Sequence, residues 1–127
     1  MPVNRISHIT LYVHDQDEAL EWYRDRLGFQ VCIDDSDYRP NFRWLTICPA
    51  GNIYTQMVLM PATTDAEKTR VGTNALTVLS TDDCRSDEAA LEAAGVEIVD
   101  PPAELPWGIS AMIRDLYGNP YNLLSPI

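Results

Sequence analysis

An α+β fold made of two tandem βαβββ modules is what this sequence predicts. The first observation behind it is an internal repeat: slid along itself by 67 residues (75 − 8), the chain falls into register without a gap. His8-Ile9-Thr10-Leu11 then lies over Ala75-Leu76-Thr77-Val78, Gly28 over Gly95, and Gly51-Asn52-Ile53-Tyr54 over Gly118-Asn119-Pro120-Tyr121. The second is the placement of the matches, which fall at turns and helix ends. The third is that each copy shows the same order of strand-like and helix-like periodicity. A repeat of this kind means one supersecondary unit used twice around a shared core, with a site expected between the copies.

The elements follow in order. Ile6 to Val13 alternates, with His8, Thr10 and Tyr12 on one face and Ile9, Leu11 and Val13 on the other, as in a half-covered strand. Asp15 sits where a helix N-cap belongs. The helix runs from about Asp17 to Leu27 with Ala19, Leu20, Tyr23 and Leu27 on one stripe, and Gly28 ends it as a left-handed cap. Strands are expected at Phe29 to Ile33, Arg43 to Cys48 and Tyr54 to Met60. The acidic run Asp34-Asp35-Ser36-Asp37 and Pro40 read as a solvated loop, and Pro49-Ala50-Gly51-Asn52 as a turn.

Module 1 thus spans about residues 5–60. Residues 61–72 carry no periodicity and read as a linker, and module 2 spans about 73–125. In module 2 a strand is expected at Ala75 to Ser80 and a helix at about Arg85 to Ala94, stopped by Gly95. Further strands follow at Val96 to Val99, Ile109 to Arg114 and Tyr121 to Leu124. Pro101-Pro102 and Pro106 read as a stiff loop.

At 127 residues the chain is one domain, 1–127, large enough to bury a core without disulfide staples. The net charge of −10, with a single lysine at Lys68, argues against nucleic acid, which needs clustered basic residues. No signal peptide or membrane span is visible, because the first apolar stretch is short and broken by His8 and His14. Cys32, Cys48 and Cys84 are odd in number and lack metal-type spacing. They read as reduced, buried thiols in a cytoplasmic protein.

Two further stretches stand out. One is Pro106-Trp107-Gly108, and the other is Arg114-Asp115-Leu116-Tyr117-Gly118-Asn119-Pro120. With the opening strand, the helix and Leu27-Gly28-Phe29, they resemble the vicinal oxygen chelate superfamily. That group includes glyoxalase I, extradiol dioxygenases, fosfomycin-resistance enzymes and bleomycin-resistance proteins. The resemblance covers Ile6 to Ser125 and implies that the two modules build a curved, mixed-sheet cup. It also implies a homodimer and, in the family's enzymes, a divalent metal held in the cup by His or Glu from the first and last strands of each module.

Carried over position by position, that ligand set is mostly missing. The first-strand position is His8. Its partner is Gln56 by resemblance or Thr55 by the internal offset, and the sequence does not decide which faces the cup. The equivalent positions in module 2 are Ala75 and Asn122. One strong ligand of four survives, and neutral amides hold hard cations weakly without carboxylates. No cofactor is therefore favoured. A divalent metal, if bound, would fall to His8, Gln56 and Asn122.

The same region offers binding groups instead. Tyr12, Trp44, Met57, Trp107 and Tyr121 are flat or soft apolar surfaces. His8, Thr10, Gln56, Thr77 and Asn122 are polar groups that could converge on a small molecule. Three functions remain open. One is a metal-free binding protein of the bleomycin-resistance type that sequesters a cationic or aromatic ligand. The second is a glyoxalase-like or dioxygenase-like enzyme with a degenerate metal site. The third is a non-catalytic structural or regulatory dimer.

Overall fold

The computed structural model describes residues 2–127. Two compact units divide the chain, one running up to Val71 and the other covering Gly72–Ile127. The first contains β1 (His8–Val13), α1 (Gln16–Leu27), β2 (Phe29–Arg39), β3 (Phe42–Pro49), β4 (Gln56–Pro61) and the short α2 (Asp65–Lys68). Its four strands lie in the order β1-β4-β3-β2. β1 is parallel to β4, and the other two pairings are antiparallel. The second unit contains β5 (Thr77–Ser80), α3 (Cys84–Ala93), β6 (Glu97–Leu105), β7 (Gly108–Arg114) and β8 (Pro120–Ser125). Its sheet repeats the plan, β5-β8-β7-β6, again with the outer pair β5/β8 parallel. The predicted α+β fold of two βαβββ modules, each a four-stranded mixed sheet, is the one observed.

Strand alternation decides which face of each sheet is covered. In the first unit Leu11, Val13, Leu45, Ile47, Met57 and Leu59 are all at most 5% exposed. They occupy alternate positions of three paired strands, so they share one face. Ala19 and Tyr23 of α1 are buried with them. Burial of each such side chain is worth about 1.5–3 kcal/mol, which fixes the strand register. On the opposite face Thr46 and Val58 are also buried, whereas His8 and Thr10 are exposed. The Asp15 side chain caps α1 by accepting from the Glu18 N–H, and Gly28 closes it in the left-handed conformation.

Several expectations needed correction. The acidic run is not a loop: β2 continues to Arg39. Asp34 is held there by two hydrogen bonds of 2.8 Å from Arg43 of the neighbouring strand, and Asp35 accepts the backbone N–H groups of Asp37 and Tyr38. Likewise β6 runs through Pro101-Pro102. It is an edge strand, and its register slips between Asp100 and Ala103, where a missing N–H costs no ladder bond. The stretch read as a bare linker carries α2, started by a reciprocal capping box between Thr64 and Glu67.

Cys32 and Cys48, expected as reduced thiols, form a disulfide between β2 and β3. Cys84 is a free, buried thiol. Among the described residues no helix is long and apolar enough to cross a membrane.

The repeat also carries a one-residue shift. The helix N-caps Asp15 and Asp83 are 68 residues apart (83 − 15), whereas the glycines that follow the helices, Gly28 and Gly95, are 67 apart. The gapless offset therefore fails for the strand before each helix. A slip of one residue moves every side chain of a strand to its other face.

Candidate functional site

The uncovered face of the first sheet gathers five of the predicted residues. His8, Thr10 and Tyr12 alternate along β1 with the buried Leu11 and Val13. His8 stands in register with Gln56, and Tyr12 with Met60. Gln56 rather than Thr55 therefore shares the face of His8. The Thr55 hydroxyl instead donates to the Ile6 carbonyl, at 3.0 Å. Trp44 lies on the same side from β3, its ring 6.0 Å from that of His8 and tilted by 55°.

Behind these groups Thr46 is completely buried and donates its hydroxyl proton to Gln56 Oε1 at 2.6 Å. That bond fixes the carboxamide and leaves its N–H₂ group as a donor for anything that binds. His8 Nδ1 lies 2.9 Å from Ser7 Oγ, so its Nε2 is the nitrogen turned away from that contact.

Beside this polar cluster a groove of about 460 Å³ is lined by Asp35, Tyr38, Arg39, Phe42, Trp44 and Met60. It lies wholly within the first unit. The Arg39 guanidinium stacks 4.1 Å above the Phe42 ring and 5.8 Å from that of Tyr38, so its charge is already engaged by aromatic faces. Asp35 stands opposite Trp44 in the β2/β3 ladder. Next to it, but pointing toward α1, Arg43 bridges Asp34 and Asp17. The Arg43 guanidinium holds the Asp34 carboxyl below its ordinary range, and the two carboxylates raise the Arg43 pKa in turn.

Sequence reasoning missed the groove residues Asp35, Tyr38, Arg39, Phe42 and Met60. A signal for two of them was available. Phe42 has the strand parity of Trp44, and Met60 that of Gln56.

Of the other candidates, Met57 is in the first unit and Thr77, Trp107, Tyr121 and Asn122 are in the second. Met57 is only 5% exposed and pairs with Ile9 and Ile47 on the helix-covered side, so it belongs to the core and not with His8. In the second unit Tyr121 is 1% exposed and stands in register with Thr77, both on the covered face. Thr77 was assigned to the open side through the 67-residue offset, and the one-residue shift places it on the other. Asn122 does occupy the open face of that sheet, where its Nδ2 donates to Ser110 Oγ at 2.5 Å and to the Ala111 carbonyl at 3.0 Å. Trp107 is 70% exposed at the β6–β7 turn. The glycine after it is structural, since a Cβ on Gly108 would stand 2.4 Å from the Ser125 carbonyl oxygen.

The closing Arg-Asp-x-x-Gly-Asn motif is also a structural device. Asp115 Oδ1 accepts the backbone N–H groups of Tyr117 and Asn119, and its Oδ2 accepts Asn119 Nδ2 at 2.8 Å. Asn119 Oδ1 accepts the Asn74 N–H at 3.1 Å. Both Asp115 and Asn119 are buried.

The model of the Glyoxalase/Bleomycin resistance protein/Dioxygenase superfamily matches residues 5–123. The chain belongs to this superfamily. A protein of Shewanella frigidimarina strain NCIMB 400 is 32% identical over 123 residues, 94% of this chain and 91% of that one. Two solved structures share its architecture at similar identity. UcmS2 is 33% identical with a TM-score of 0.82, covering 95% of this chain and 97% of its own. TnmS3 from Streptomyces sp. CB03234, described as an antibiotic binding protein, is 31% identical with a TM-score of 0.82, covering 100% and 99%.

Enzymes of the superfamily use a divalent metal, and the residues present here do not fit one. Among the described residues no three His, Cys, Asp or Glu side chains come together as a metal-binding group. Of the residues that the resemblance offers as ligands, His8 is the one good donor. Gln56 is a neutral amide whose carbonyl already accepts the Thr46 proton, and Asn122 is another neutral amide. Without carboxylates nothing offsets the cost of dehydrating a hard cation.

Proposed function

We propose that this protein binds a planar, aromatic small molecule in the groove of its first unit and holds it without metal or covalent chemistry. The observation that carries the reading is the groove itself. It has about 460 Å³ of space between the indole of Trp44, the ring of Phe42 and the thioether of Met60, with Asp35 as an acceptor. That volume is in the range of drug-sized sites, and an apolar slot with few polar groups is the usual form of one. Beside it His8 and the donor face of Gln56 supply hydrogen bonds that orient a ligand. The net charge of −10 favours the approach of a cationic ligand over an anionic one. The likeness to TnmS3, an antibiotic binding protein, supports a ligand of antibiotic type.

We also propose a homodimer. Val78, 55% exposed, shares the open face of the second sheet with its ladder partner Asn122, and Leu76 nearby is 50% exposed. Apolar surface of that kind is commonly covered by a partner chain. Light scattering after size exclusion gives the mass directly, and a monomer at micromolar concentration overturns this part.

The binding reading is tested by a thermal-shift screen of planar aromatic antibiotics, cationic and neutral, followed by titration calorimetry of the hits. The expected result is stoichiometric binding that is weakened by Trp44→Ala and unchanged after chelator treatment. Hits that bind Trp44→Ala as well as wild type would remove the groove from consideration.

A further inference from the structure

We propose that the Cys32–Cys48 bond is a thiol-exchange site, opened at Cys32 by a low-molecular-weight thiol such as glutathione. It is independent of the ligand reading. The argument begins with register. Val31 pairs with Ile47 and Ile33 with Thr46, so Cys32 is the extra residue of a β-bulge. Cys48 pairs with Gln30, the ladder position before it, which places the two cysteines diagonally across neighbouring strands. A bulged residue is released from the ladder and its side chain is re-aimed. β2 is moreover an edge strand, with β3 as its sole neighbour in the sheet. Backbone movement at Cys32 therefore breaks no second ladder.

The two sulfurs are not equivalent. Cys32 is partly exposed, whereas Cys48 is completely buried. An incoming thiolate thus reaches Cys32 Sγ. The electron pair of the broken S–S bond leaves on Cys48 Sγ, which lies 4.0 Å from the Nε2 donor of Gln30. A donor at the leaving sulfur favours its departure as thiolate. A second thiol then attacks the mixed disulfide, freeing Cys32 as a thiol and releasing the oxidised small-molecule disulfide. Two small thiols are oxidised and one protein disulfide is reduced. The reverse sequence closes the bond. Opening removes the disulfide cross-link between β3 and β2, the strand that carries Asp35, Tyr38 and Arg39 into the groove.

The test uses the native full-length chain in buffers of varied reduced-to-oxidised glutathione ratio, quenched with acid, alkylated and weighed intact. With glutathione exchange run on the folded chain and alkylation run in denaturant after the quench, the expected result is reversible gain and loss of two alkylation sites above the constant one from Cys84. Hydrogen exchange in 31–39 should rise on reduction. A bond that resists reduction until the protein is unfolded, or a pair that stays dithiol in oxidised glutathione, overturns the proposal. Entry at Cys32 is tested separately. In Cys48→Ser the Cys32 thiol should attack oxidised glutathione, forming the mixed disulfide and releasing one reduced glutathione, at least about tenfold faster than Cys48 does in Cys32→Ser, because access governs the reaction. Equal or reversed rates overturn it. Should either variant fail to fold, a brief glutathione pulse on wild type followed by peptide mapping locates the mixed disulfide, and finding it on Cys48 has the same consequence.

Discussion

Thr46 Oγ1 donates to Gln56 Oε1 at 2.6 Å from a position that solvent does not reach. This bond ties a buried residue of β3 to the side chain that stands in register with His8. Thr46 is anchored by the β3 ladder, and it sets which end of the Gln56 amide is presented. Thr46→Val keeps the shape and removes the donor. The partly exposed Gln56 can recruit water, so the expected loss of stability is about 1 kcal/mol in urea unfolding. Ligand affinity should fall by several-fold because the amide is free to turn. A variant with wild-type affinity would show that Gln56 does not orient the ligand.

The two candidate tryptophans are expected to behave differently. Trp44 is half-buried in the groove wall, and aromatic anchors in such positions commonly carry 2 kcal/mol or more of binding, roughly thirtyfold in affinity. Trp44→Ala should therefore weaken binding by more than about tenfold. Trp107 is exposed at a turn, so Trp107→Ala should leave stability within about 0.5 kcal/mol. If Trp107→Ala alone abolishes binding in calorimetry, the ligand lies on the second unit and the groove is not the site.

These contrasts show what the sequence discloses and what it hides. The alternation of His8, Thr10 and Tyr12 with Leu11 and Val13 was readable because one face of β1 is covered and the other is not. Gln56 was left open against Thr55, because what decides between them is the register of β4 with β1. The continuation of β2 through Asp34 and Asp35 was not readable, because what holds it is Arg43 on another strand. Thr77 was misplaced by a single residue missing from the second helix, which strand periodicity converts into a change of face. The Cys32–Cys48 pairing depends on a bulge, and a bulge is a property of register between strands rather than of either strand alone.

Acidification should act on two carboxylates in opposite directions. Asp34 has its folded pKa lowered by Arg43, so its contribution is present above the unfolded value of about 4 and is lost as pH falls through the folded one. Glu88 of α3 is raised by burial and by Glu92. Its folded form keeps its proton longer, so it lowers stability as pH rises above the unfolded value, and that loss is complete above the folded one. Thermal unfolding between about pH 3 and pH 7 should show less acid loss in Arg43→Met than in wild type. Glu88→Gln should unfold at a higher temperature than wild type at neutral pH. A Glu88→Gln variant that is less stable at pH 7 would mean that the carboxylate makes a favourable interaction there.

The Asp115–Asn119 pair should prove to be architecture and not chemistry. Asn119 is 1% exposed, and its amide joins two separate segments, accepting from the Asn74 N–H and donating to Asp115 Oδ2. Asn119→Ala leaves one backbone donor and one carboxylate oxygen without these partners in a buried place. Two buried hydrogen bonds are lost, one of them to a carboxylate, so a loss of about 3 kcal/mol is expected. Asp115→Asn removes the charge but keeps an acceptor for the Tyr117 and Asn119 N–H groups, and should cost less. Urea unfolding orders the two variants. Ligand affinity measured where both remain folded should stay at the wild-type value, since neither residue is among those that line the groove. A variant that is fully stable yet fails to bind would place this turn in the site after all.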